Sequence, residues 1–138
     1  MEAVELLAVG RGSSVVPVSF EILDRGGAGL RMRFLGRDWQ SFSGSNLFKC
    51  LLDARTDLEA EGLLLCCQGA RPDVFPSGMQ QQMDNGRFAA VLSRSAEEEE
   101  IVDIFAAAEP SQVDSVEGQR VAVYQFFNLP ISAAGGDE

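Results

Sequence analysis

The stretch from Cys66 to Gly86, CCQGARPDVFPSGMQQQMDNG, carries the side chains best suited to hold an anion. Arg71 offers a planar guanidinium fork that matches carboxylate or phosphate, and Asp73 can orient it. Gly69 and Gly78 permit close backbone approach, and Ser77 can donate to a ligand or cap a helix. A strand leading into this turn and on to a helix start would set backbone amides at the carboxyl edge of a sheet, where open α/β sheets bind ligands. The candidate ligand-binding residues are therefore Gly69, Arg71, Asp73, Ser77 and Gly78, and the ligand class is an anionic small molecule. A purely structural reading of the same residues stands beside it. Arg71 and Asp73 can pair with each other, Pro72 and Pro76 can stiffen a tight loop, and Ser77 can be an N-cap alone. No full phosphate-loop or dinucleotide fingerprint is present.

Other chemistry is restricted by what the chain lacks. It contains no histidine, which removes Ser-His-Asp and Cys-His arrangements and the usual near-neutral acid or base. Its cysteines, Cys50, Cys66 and Cys67, are odd in number and two are adjacent, which is neither a disulfide framework nor zinc-ligand spacing. On a strand, Cys66 and Cys67 would face opposite sides as small hydrophobes, and Cys50 falls on a helical apolar stripe. Glu21, Asp73 and Asp103 remain as acid/base candidates, but nothing in the sequence brings two of them together. The acidic run at residues 96–100 reads as a solvated loop or helix start rather than a metal cage. No catalytic residue, metal or cofactor is assigned, and a non-enzymatic role is expected.

Charge points to a class of partner. The chain has 21 acidic and 11 basic residues, a net charge of -10. Such a field repels phosphate backbones and anionic lipid surfaces and favours a basic protein partner. No apolar run reaches the ~18 residues of a membrane helix, and no basic segment precedes the short apolar stretch near residue 1. The expectation is a cytoplasmic protein with no nucleic-acid or membrane partner. A homodimer through a strand edge or the Phe-rich terminal helix stays open.

The elements that must position these residues follow from hydrophobic periodicity. AVELLAV, residues 3–9, reads as a strand. Val15–Leu23 alternates with Val16, Val18, Phe20 and Ile22 on one side, and Pro17 places it at an edge or delays its pairing until after the proline. LRMRFLG alternates Leu30, Met32 and Phe34 with Arg31 and Arg33, completing an antiparallel meander. From Asn46, Leu47, Leu51, Ala54 and Leu58 recur at helical spacing, with Lys49, Asp53, Arg55 and Asp57 away from that stripe. Ser45 serves as N-cap and Gly62 as the stop. LLLCC reads as a strand buried on both faces. A short helix follows, with a Ser77/Gln80 capping box and an Asn85-Gly86 end. RFAAVLS and Ile101–Ala106 read as strands, and Asp114 with Glu117 as the capping box of a terminal helix ending near Asn128–Pro130. The β-helix-β-helix-β succession over residues 28–93 suggests parallel crossovers. The fold class is α+β, with α/β as the alternative: one domain, residues 1–132, a mixed sheet with about three helices, and a disordered tail at 133–138.

GARPDVFPSGM, followed by NGRFAAVL, resembles a segment of small uncharacterised bacterial proteins, some of them immunity-type. The resemblance spans about residues 63–128 when the DSVEGQ helix start is included. It implies a bacterial cytosolic protein of unassigned activity and nothing about a catalytic residue.

Overall fold

The computed structural model describes residues 1–24, 26–94 and 99–130. The tail at 133–138 and residues 96–98 of the acidic run lie outside them. In chain order the elements are β1 (Glu2–Val9), β2 (Val15–Leu23), β3 (Ala28–Phe34), β4 (Gln40–Gly44), α1 (Leu47–Ala60) and β5 (Leu64–Cys66). They are followed by β6 (Val74–Phe75), α2 (Gly78–Met83), β7 (Phe88–Val91), β8 (Ile101–Asp103) and α3 (Val116–Phe126). The chain is one mixed α+β domain with two sheets, ordered β4-β3-β2-β1-β5 and β6-β7-β8.

Period-2 alternation makes the larger sheet. Leu6 and Ala8 of β1, Val18, Phe20 and Ile22 of β2, and Leu30, Met32 and Phe34 of β3 all point to one face and are buried. Each large side chain so buried stabilises the fold by about 1.5–3 kcal/mol. Pro17 pairs with Leu7 on β1, and the ladder to β3 begins one residue later at Val18↔Phe34, so the missing amide falls where β3 has not yet joined.

Helix α1 buries Leu47, Phe48, Cys50, Leu51, Ala54 and Leu58 in the same continuous core. Its stop is a Schellman motif: Gly62 N–H donates to Glu59 O and Leu63 N–H to Leu58 O, with Gly62 at φ 80°. The second sheet joins that core through Val74 and Ala89, and the turn after β8 through Ile104 and Phe105, with Phe105 edge-on to Phe20 at 6.1 Å. Arg87 ties the two sheets together. It forks onto Asp103 at 2.7 and 3.0 Å and onto Glu2 at 2.8 and 2.9 Å.

Four readings change. Every ladder is antiparallel, including β1 with β5 and β6 with β7, so no parallel crossover exists among the described strands. The N-cap of α1 is Asn46, whose side chain accepts from Lys49 N–H at 2.9 Å, rather than Ser45. Helix α3 is capped by Ser115, which accepts from Gly118 N–H at 3.0 Å. Asp114 instead accepts from Ser115 N–H, and Glu117 pairs with Arg120. The strand at Ile101 ends at Asp103, beyond which Phe105 N–H donates to the Asp103 carboxylate. No helix of the described residues is long and apolar enough to cross a membrane.

Candidate functional site

The turn after β5 is built by closure of its own polar groups. Gly69 is buried, and a Cβ there would lie 2.8 Å from Leu51 Cδ2 and 2.9 Å from Ile104 Cβ, so only glycine lets this backbone lie against the core. Its amide donates to Ile104 O, while Gln68 N–H donates to Ala106 O, Ala70 N–H to Cys67 O and Arg71 N–H to Gln68 O. Arg71 forks onto Asp73 through Nε (3.0 Å) and Nη2 (2.8 Å), and its Nη1 donates to Gln68 Oε1 at 2.8 Å. Ser77 and Gln80 form the expected reciprocal capping box at 2.8 and 3.1 Å at the start of the six-residue α2, and Gly78 is exposed beside it. The structure thus joins Arg71 to Asp73, packs Gly69 into the core and leaves Ser77 and Gly78 in a separate local cap.

Behind the turn lies a buried polar cluster. Arg55 is 0% exposed, and its Nη1 donates to Gln119 Oε1 at 2.6 Å and Gly69 O at 3.3 Å, while Nη2 donates to Asp114 O at 2.9 Å. Its Nε has no partner among the described residues. Burial lowers the guanidinium pKa from its usual value. Gln119, also buried, donates through Nε2 to the carbonyls of Gly69, Arg71 and Val74 at 2.9, 2.8 and 3.0 Å. Glu59 accepts from Val116 N–H, the first amide of α3, through both carboxylate oxygens at 3.1 Å and stands 3.9 Å from Arg55. Periodicity held a signal for this: Arg55 lies four residues after Leu51 and three before Leu58, on the apolar stripe rather than away from it.

None of the three thiols is poised for reaction. Burial is the main cause raising each pKa, and Cys67, enclosed in the core, is pushed up to about 12. Among the described residues no group of three or more Cys, Asp or Glu side chains gathers to hold a metal ion.

Two surface features bear on binding. A cleft of about 150 Å³ opens between α1, β6 and α3, lined by Phe48, Leu52, Phe75, Val116, Val123 and Tyr124, with Gln119 at its floor and Arg120 at its rim. Arg120 lies over the Tyr124 ring at 5.3 Å and forks onto Glu117. The second feature is the outer face of the larger sheet, where the Arg31 and Arg33 guanidinium carbons stand 4.9 and 4.8 Å from the centroid of Trp39. The cleft could not be read from local pattern because it joins residues 48–52, 75 and 116–124. No family model matches the chain, and no curated protein matches it.

Proposed function

We propose that the protein is a non-enzymatic binding module for a basic protein partner, immunity- or adaptor-like in role. The observation that carries this reading is the way the chain uses its cations. Arg31, Arg37, Lys49, Arg55, Arg71, Arg87 and Arg120 each stand within ion-pair reach of a carboxylate of the same chain, and Arg94 donates to Phe126 O. With these eight basic groups engaged internally, and only Arg11 and Arg33 among the described residues left without such a partner, most of the surplus charge of -10 is presented outward by carboxylates. Asp24, Asp38, Asp84, Glu99 and Glu100 have no cationic partner among the described residues.

The cleft supplies what charge alone lacks, an apolar socket for one anchoring side chain. Interfaces derive their strength from such sockets, while surrounding charge sets encounter rate and discrimination. The geometry favours this reading over an anionic ligand at the Gln68–Met79 turn. A ligand there would have to displace Asp73 and Gln68 from Arg71 and compete with the carbonyls that already accept the turn amides.

Capture of partners from the source cell at low and high salt tests the proposal, with Leu52→Arg as the paired variant. The expected result is recovery of a basic protein that is lost at high salt and lost with the variant. Retention that ignores salt, or a recovered partner that is itself acidic, would contradict it.

A further inference from the structure

We propose that the outer face of the five-stranded sheet is the contact surface of a homodimer, in which two copies pack face to face about a two-fold axis running along β2. This is independent of the acidic-surface reading above. Glu5 of β1, Ser19 of β2 and Arg33 of β3 form one cross-strand row. Glu5 and Arg33 thus flank β2 symmetrically, about 10 Å apart at two strand spacings. Both are exposed, and neither has an oppositely charged partner among the described residues. A two-fold along β2 exchanges β1 with β3. Glu5 of each copy then meets Arg33 of the other, with serine over serine between them, so a single row yields two ion pairs across the contact.

Shape follows the same symmetry. A hollow of about 360 Å³ lies over Ala3, Glu5, Ser19 and Glu21, walled by Arg33 and Trp39. Trp39 stands beside the β3 arginines, and the rotation that exchanges β3 with β1 carries the other copy's indole onto the small Ala3 floor of this hollow. Knob and hole occupy symmetry-related places, which an isologous interface requires.

The face also suits approach by a like-charged copy. Glu5 and Glu21 are balanced there by Arg31 and Arg33, whereas the whole chain carries -10. In the rows beyond, Leu7 and Val15 are 51% and 56% exposed on the same face. Aligned face-to-face packing is an ordinary arrangement for twisted sheets. Five strands by about six residues give a footprint of about 500 Å² per copy, so the pair buries about 1,000 Å², at the low end for specific contacts. The dimer is therefore expected to be reversible and concentration-dependent.

Sedimentation velocity across the micromolar to millimolar range tests this, with the emission of Trp39, the only tryptophan, as a second readout. The parent should dimerise with concentration while its emission shifts to the blue. Glu5→Arg and Arg33→Glu should each weaken the dimer at least about tenfold, because two symmetric pairs become repulsive together. The double reversal E5R/R33E should restore it. Leu52→Arg, in the cleft on the other side of α1, should leave it intact, and Leu7→Glu should disrupt it if either reversal misfolds. A monomer at every concentration, a dimer indifferent to the single reversals, or no recovery in the double variant would overturn the proposal.

Discussion

Arg55 donates to Gln119 at 2.6 Å from the middle of α1 to the first turns of α3, and Gln119 spends its own amide hydrogens on three carbonyls of the turn between β5 and β6. One pair of side chains therefore fixes two helices and the 69–74 backbone to one another. A buried cation is costly unless its donors are satisfied, and here three acceptors are all supplied by neutral groups.

Removing the amide should be severe. Gln119→Leu leaves one Arg55 N–H and the Val74 carbonyl short of a partner, while the Arg71 carbonyl keeps the Val74 N–H, for an expected loss of about 3 kcal/mol in urea denaturation. Gln119→Glu should be no better, since it offers Arg55 an anion but replaces the donor with an oxygen facing carbonyls. A loss below about 1 kcal/mol for both would show that the cluster contributes little.

At the turn, Arg71 is held by Asp73 and Gln68, with 16% of its side chain exposed against 45% for Asp73. Arg71→Ala should cost only about 1 kcal/mol, because the carboxylate side of the pair is screened by water. Phosphate or simple carboxylates should produce no melting shift in either protein. A shift present in the parent and absent in the variant would instead restore the anion seat.

Cys67 makes the fold sensitive to alkali. Its thiol ionises near 9.0 when unconstrained and is pushed up to about 12 by burial. Between these values the unfolded chain sheds a proton that the folded chain keeps. Its contribution is therefore full below about pH 9 and is lost as pH rises toward 12. Cys67→Ala should flatten the decline of denaturation midpoint over that window, and the parent's thiols should resist thiol reagents until it unfolds. Rapid labelling of the native protein, or an equal alkaline decline in the variant, would contradict this.

A local strain lies at Leu35, which sits at φ 54° beside Gly36 at φ 69° in the turn that Arg37 N–H closes onto Phe34 O. This left-handed conformation disfavours leucine by about 1–2 kcal/mol, and the side chain recovers little because it is 63% exposed. Leu35→Asn should raise stability by about 1 kcal/mol, since asparagine tolerates such turns. A drop in stability would mean that Leu35 makes a contact outweighing its strain.

Much of the scaffold was legible in local pattern. The β1 to β3 meander follows from alternation over one buried face, the Gly62 stop from a left-handed position, and the Ser77/Gln80 cap from its spacing. Strand direction was not legible, because β5 finds β1 across most of the core and no residue within β5 records that partner. Arg55 was misread because its charge outweighed its position on the stripe. Gln119 gave no local signal, since it gains its role from groups tens of residues away, whereas Trp39 meets Arg31 and Arg33 of the neighbouring strand and reads in sequence only as a core aromatic.

The central claim, that a basic segment is received at the α1/α3 cleft, is tested most directly by backbone NMR with an amphipathic lysine-leucine peptide and a glutamate-leucine counterpart as probes. The lysine peptide should shift the resonances of Leu52, Val116, Val123 and Tyr124 at low salt, lose the effect at high salt, and leave Leu52→Arg unperturbed, while the acidic peptide does nothing. Shifts centred on residues 68–79, equal response to both peptides, or no response to the basic one would contradict the account.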